Sequence, residues 1–179
     1  MTQLKEKYQK EVAPMLMEKF HYSSIMEVPR IEKIILNIGV SEAVIDRTFV
    51  DESLKDLEKI AGQKPVKTKA KQSINQFKVR KGQELGVKVT LRKQKMWEFL
   101  YKLINVALPR IRDFKGIAVR GFDGKGNFTL GVREHTIFPE IEFESTEKVR
   151  GLSVTIVTTA ESDAECKELL AGLGIPFRR

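Results

Sequence analysis

The sequence predicts an α+β protein: a single domain with a largely antiparallel sheet, helices packed on one face and a basic open face. Three observations carry that reading. Short apolar alternations recur along the chain, segments with helical spacing separate them, and the excess positive charge sits in one stretch. No internal repeat, low-complexity tract or Pro/Gly-rich linker divides the chain, so residues 1–179 read as one domain.

Residues 3–20 read as a helix, with Leu4, Tyr8, Val12, Leu16 and Phe20 at four-residue spacing and Pro14 set to kink or split it near Ala13. Ile31 to Val40 is the clearest strand, because Ile34, Leu36, Ile38 and Val40 alternate with Lys33, Ile35, Asn37 and Gly39. A helix follows over 48–61, burying Leu54, Leu57 and Ile60 and stopped by Gly62. Two strands come next. In Val66 to Lys71 the alternation turns Val66, Thr68 and Ala70 one way and Lys67, Lys69 and Lys71 away from the core. In Val87 to Lys93, Val87, Val89 and Leu91 face the core while Lys88, Thr90 and Arg92 face outward.

Between those strands runs a connection of about fifteen residues, Gln72 to Gly86, longer than the two to five residues of an ordinary hairpin loop. A loop of that length and polarity reads as functional and mobile, and its one aromatic, Phe77, either pins it to the body, the favoured reading, or stacks on RNA. Residues 94–108 form the next helix, whose stripe of Met96, Trp97, Leu100, Leu103, Ile104 and Ala107 makes Trp97 a core residue. Short strands are expected at 117–122 and 127–132 around an Asp123-Gly124-Lys125-Gly126 turn, and another strand at 152–158. The last helix starts after Ser162, which forms a capping box with Glu165 and precedes a buried stripe of Cys166, Leu169, Leu170 and Leu173.

With 41% hydrophobic and 31% charged residues, the chain can bury an ordinary core. No stretch approaches the roughly 18 apolar residues of a membrane span. Met1-Thr2-Gln3-Leu4-Lys5 begins no signal peptide, and the lone Cys166 suits a reducing cytosol.

The net charge of +8 is not spread evenly. Between Lys64 and Lys95 stand eleven Lys/Arg against Glu84 alone, whereas the rest of the chain holds 21 bases and 23 acids. All the excess positive charge is thus one segment on a nearly neutral body, a field that attracts polyanions.

Catalytic groupings are scarce. His21 and His135 with one cysteine give no zinc spacing, so neither metal nor cofactor is expected. Gly121 to Gly126 lacks the order and following helix of a phosphate loop, and its Asp-Gly pair reads better as a turn. In Phe138-Pro139-Glu140-Ile141-Glu142-Phe143-Glu144 a strand would carry a row of carboxylates, either a charge-protected edge or a docking surface for a basic protein.

A basic sheet, a long basic loop and no catalytic group point to an RNA-binding protein. The run Leu57-Glu58-Lys59-Ile60-Ala61-Gly62-Gln63-Lys64-Pro65-Val66-Lys67-Thr68-Lys69-Ala70-Lys71-Gln72-Ser73 closely resembles the signature of the bacterial large-subunit ribosomal protein five family. Ile31 to Val40, Val87 to Arg92, Pro109 to Gly116, Phe122 to Asn127 through Phe138 to Ile141, and Gly174-Ile175-Pro176-Phe177 are similar to it too, so the resemblance covers essentially the whole chain. It implies a cytoplasmic, ribosome-bound protein of the central protuberance that attaches 5S rRNA to the large subunit and its rRNA. It also implies contact with P-site tRNA and a bridge to basic small-subunit protein thirteen.

On this chain the 5S rRNA surface is expected to be formed or bordered by Lys33, Asn37, Gln63, Lys64, Lys67, Lys69, Lys88, Thr90 and Arg92. Asn37 and Thr90 suit base edges or 2′-hydroxyls, whereas the lysines neutralise phosphate. Lys71, Asn75, Lys78, Arg80 and Lys81 are expected on tRNA, and Arg110, Arg112, Glu140, Glu142 and Glu144 on the protein bridge. The competing classes are a nucleic-acid-processing enzyme, which needs clustered carboxylates where Glu84 stands alone, and a DNA-architectural protein, which would prefer duplex DNA to folded RNA.

Overall fold

The computed structural model describes residues 3–44, 46–112, 114–141 and 149–178. The protein is α+β, with a five-stranded, largely antiparallel sheet of β1 (Ile31–Gly39), β2 (Val66–Lys69), β3 (Glu84–Leu91), β4 (Phe128–Val132) and β5 (Leu152–Thr158) in the order β2-β3-β1-β5-β4. The backbone gathers into two compact units. One comprises Met1–Ile34, Arg92–Leu130 and Thr155–Arg179, the other Ile35–Leu91 and Gly131–Val154.

In the first unit the N-terminal helical run is α1 (Gln3–Lys7), a π turn (Tyr8–Val12) and α2 (Ala13–Phe20). The π turn is the form that the disturbance at proline takes. Pro14 has no N–H to give, and one widened turn just before it re-partners the backbone, with Ala13 N–H donating to Tyr8 O. Leu4, Val12 and Leu16 are buried, and the Tyr8 hydroxyl donates to Pro29 O at 3.0 Å. The helix α4 (Lys93–Lys102) continues through a second π turn, Leu103–Ala107, and buries Met96, Trp97 and Leu100 as its spacing predicts. Tyr8 packs on Trp97 at 5.9 Å between ring centres, which makes Trp97 core.

The strand expected at 117–122 does not form. Ile117 makes an isolated bridge to Phe177, residues Val119–Gly121 turn as a 3-10 helix, and only Phe122 pairs with β4, opposite Phe128. Phe122, Phe128 and Phe177 close into one aromatic cluster with centre separations of 4.7–5.8 Å, so side-chain packing rather than ladder bonding holds this segment. The glycine turn is an anion nest already filled from within. The Asp163 carboxylate accepts from Gly124 N at 3.1 Å and Gly126 N at 3.0 Å. Asp123 accepts from the Asn127 amide, Lys125 N and Asn127 N, bonds to its charged form that lower its pKa.

The last helix, α5 (Asp163–Leu173), is capped by Ser162, whose hydroxyl accepts from Glu165 N. Its stripe of Cys166, Leu169, Leu170 and Leu173 is fully buried. Burial pushes the Cys166 thiol up to about 12, so at pH 8 only roughly one thiol in ten thousand is the reactive thiolate. A thiol reagent is expected to label the native protein at least about 100-fold more slowly than the unfolded chain. Equal rates would place Cys166 in contact with solvent.

The second unit holds α3 (Thr48–Ala61), which packs on β3 and β2. Its buried positions include Val50, Ser53, Leu57 and Ile60; Leu54, expected inside, is only half-buried. Ser53 takes the inner place because its hydroxyl bonds to Phe49 O at 2.7 Å and brings no unmet polar group into the core. Two acids of α3 meet buried bases. Glu52 lies 2.8 Å from Arg150, which stacks over Phe49, and Asp56 lies 3.4 Å from the ring of His135. His135 is therefore part of the packed interior, with its other ring nitrogen on the Arg150 backbone at 3.1 Å.

Candidate nucleic-acid interface

The edge strand β2 runs antiparallel to β3 with Val66 opposite Lys88, Lys67 opposite Val87, Thr68 opposite Gly86 and Lys69 opposite Glu84. Opposed residues share a face, and Val87 is buried on the face that α3 covers. Lys67 consequently points to the helix side, not to the open side its sequence alternation suggested. The reason is electrostatic: its ammonium lies 2.7 Å from Asp51 of α3 and 3.2 Å from Glu84. Hydrogen bonds to Asp51 first and Glu84 second raise its pKa. The register skips Leu85, a bulge that reverses the alternation of β3 and brings Glu84 to the same side as Lys67. Lys69 shares that side and is exposed. The apolar residue turned outward is Val66, 70% exposed.

The open face in this unit is therefore narrower in charge than the sequence suggested. It carries Val66, Thr68, Lys88 and Thr90, and across on β1 Asn37 and Ile35. Lys88 is exposed and Thr90 half-buried. Two side-chain amides are fixed in place: Asn37 Nδ2 donates to Val87 O at 3.3 Å, and Gln63 Nε2 donates to Thr90 O at 3.3 Å. Each spends an N–H donor on the backbone of β3 and keeps its carbonyl oxygen as an oriented acceptor. Lys64 is exposed next to Gln63. The first unit holds Lys33, half-buried on β1 and 3.5 Å from Glu32, and Arg92, exposed at the N-cap of α4.

The long connection is not a featureless loop. Residues 70–83 fold back on themselves as an arm. Ala70 N donates to Gln83 O at 2.8 Å and Gly82 N to Ala70 O at 2.9 Å, closing the base. Ile74 and Val79 exchange bonds at 2.9 and 3.1 Å, and a 3-10 turn, Asn75–Phe77, makes the tip. Lys81 N donates to the Ser73 hydroxyl at 2.9 Å, and the Gln83 amide ties the arm to Ala43 O at 3.4 Å. Lys71, Asn75, Lys78, Arg80 and Lys81 all stand exposed on it. Phe77 does not pin the arm down, because its ring is 63% exposed, and Ile74 is 46% exposed. Sequence reasoning favoured pinning because an aromatic in a polar loop defaults to burial, whereas here backbone bonds and the Ser73 and Gln83 side chains close the arm without the ring.

Of the bridge residues, Arg110 and Arg112 are exposed in the first unit, and Glu140 is half-buried in the second. Glu142 and Glu144 lie outside the described residues. Residues 138–141 turn rather than run as a strand, with Ile141 N donating to Phe138 O at 3.1 Å. Among the described residues, no group of three or more His, Cys, Asp or Glu could hold a metal ion, and no helix is long and apolar enough to cross a membrane.

Comparison with known proteins agrees with the geometry of a basic surface. Residues 24–80 match the family described as ribosomal protein L5, and residues 84–177 match the model for the C-terminus of the same ribosomal family. The large ribosomal subunit protein uL5 of Brevibacillus brevis is 56% identical over 178 residues, 99% of each chain. The proteins of the same name from Caldanaerobacter subterraneus subsp. tengcongensis and Ligilactobacillus salivarius are also 56% identical, covering 100% and 99% of each chain. Similarity of that extent at both ends of the chain leaves one conclusion: this protein belongs to the ribosomal protein L5 family.

Proposed function

We propose that this protein is a structural, non-enzymatic constituent of the large ribosomal subunit, bound to the ribosome in the cytoplasm. In this reading the chain works as one RNA-binding domain that grips 5S rRNA and attaches it to large-subunit rRNA in the central protuberance. The observation that carries it is the pair of fixed amides, Asn37 and Gln63, set by β3 beside exposed Lys64 and Lys88. Oriented carbonyl acceptors suit the 2′-hydroxyls and amino groups of an RNA minor groove, while the lysines neutralise phosphates.

The arm supplies a second RNA surface. Lys71, Lys78, Arg80 and Lys81, with Asn75 at the tip, form a cationic projection with no acid between residues 70 and 83. Phosphate contacts carry little sequence information, so such an arm fits a hold on P-site tRNA that must serve every tRNA. Arg110 and Arg112 in the first unit, and separately the acidic segment containing Glu140 in the second, are the candidates for contact with small-subunit protein thirteen. Charge reversal there is expected to weaken subunit joining and change its salt dependence, and unaltered joining would remove the assignment.

The 5S rRNA surface is tested by binding across a salt series. Asn37→Ala or Gln63→Ala should each weaken binding by about 5-fold, one hydrogen bond's worth, at unchanged salt slope. Lys88→Ala should make the slope shallower by about one unit. Lys67→Ala should leave the slope unchanged, because Asp51 and Glu84 already balance that charge. A slope that responds to Lys67 and not to Lys88 would put the RNA on the other face.

A further inference from the structure

Phe77 sits at the tip of the arm with its ring 63% exposed, an unusual position for an aromatic whose burial would be favourable. The tip does not need the ring for its shape, since the Ile74–Val79 pair and the Asn75–Lys78 turn close it through backbone groups and the Ser73 hydroxyl accepts from Lys81 N. The same arm carries exposed Lys71, Lys78, Arg80 and Lys81, and residues 70–83 include no acid. An exposed planar apolar face on a cationic arm matches one ligand chemistry: a nucleobase whose face is uncovered, attached to a phosphate backbone.

We propose that Phe77 is a base-stacking platform, so that the arm binds RNA carrying an unpaired or helix-terminal base and discriminates against continuous duplex. This rests on the reading of the arm as an RNA contact and sharpens it. Cations alone would hold any duplex backbone equally well, whereas a stacking ring requires an uncovered base. The arm would then recognise a shape, a loop or the end of a stack, with no preference for base identity, because every base offers a π-face.

The test uses the full chain and two RNAs of equal phosphate number, an open single-stranded oligonucleotide and a perfect duplex. Phe77→Leu should weaken binding to the open RNA by about 5- to 150-fold, the range that stacking on an aromatic supplies, and leave duplex binding and the salt slope unchanged. Phe77→Trp should restore affinity and show fluorescence quenching on RNA addition beyond that of the wild type, whose Trp97 is buried. Exposure of residue 77 makes both variants foldable, and circular dichroism checks it. If Phe77→Leu has no effect and the tryptophan is not quenched, while Lys78→Ala and Arg80→Ala still flatten the salt slope, stacking is overturned and the arm remains a phosphate contact. If neither ring nor cations matter, the arm is not an RNA surface and both ideas fail.

Discussion

A variant in which residues 71–82 are replaced by a tight turn from Ala70 to Gln83 is expected to keep 5S rRNA binding within about two-fold and to lose at least about ten-fold in P-site tRNA retention. The structure makes the excision clean. Ala70 N already donates to Gln83 O at 2.8 Å, so the ends to be joined are neighbours. The side chains assigned to 5S rRNA on β1 and β3, and the pairing of Lys67 with Asp51 and Glu84 that ties β2 to α3, lie outside the excised segment. What disappears is four exposed cations and the Phe77 ring. Retention is measured by release of labelled tRNA from ribosomes reconstituted with each protein. Loss of 5S rRNA with normal tRNA retention would mean that the two surfaces have been assigned the wrong way round.

The second large effect concerns two glycines at the same sheet. Gly86→Ala is expected to destabilise the protein by about 1–3 kcal/mol and to weaken 5S rRNA binding with it. A methyl at Gly86 would lie 2.7 Å from Ile38 O and 3.1 Å from the Thr68 hydroxyl. The nearer clash is with backbone, which cannot rotate away, so β1 and β3 must move apart where Asn37 meets Val87 O. Gly39→Ala is the matched control, since nothing lies within 4 Å of its would-be Cβ. It should stay within about 0.5 kcal/mol of wild type. Denaturant unfolding and 5S rRNA titration of the pair check this, and equal behaviour of the two variants would show that β1 and β3 have slack at Gly86.

Period and punctuation made much of this legible in the sequence. The alternation of Ile31–Gly39 and of Val87–Leu91, the Ser162 cap and the stripes containing Trp97 and Cys166 all emerge from spacing alone. The edge strand did not. A period-two reading places the apolar member inward, but Val66 has little cover at the edge while Lys67 finds Asp51 and Glu84, acids distant in sequence. Long-range ion pairs leave no mark in local pattern. The bulge at Leu85 is equally silent, and it decides which side Glu84 serves. At the candidate site, the charge density and the polar residues Asn37, Gln63 and Thr90 were visible, but not that two amides donate to β3 and so present acceptors. The arm's internal bonding was hidden because pairing over a few residues has no hydrophobic signature, and without it the outward Phe77 was only the less favoured of two readings.

The most direct measurement is the equilibrium affinity of the full chain for 5S rRNA against a duplex DNA competitor of equal charge, taken over a salt series. Log affinity should fall linearly with log salt. A preference for 5S rRNA of at least about 100-fold should persist at every salt concentration if, as proposed, the fixed acceptors of Asn37 and Gln63 meet 2′-hydroxyls, which DNA lacks. Equal affinity for the two, vanishing together as salt rises, would contradict recognition and leave only a cationic surface that holds any polyanion.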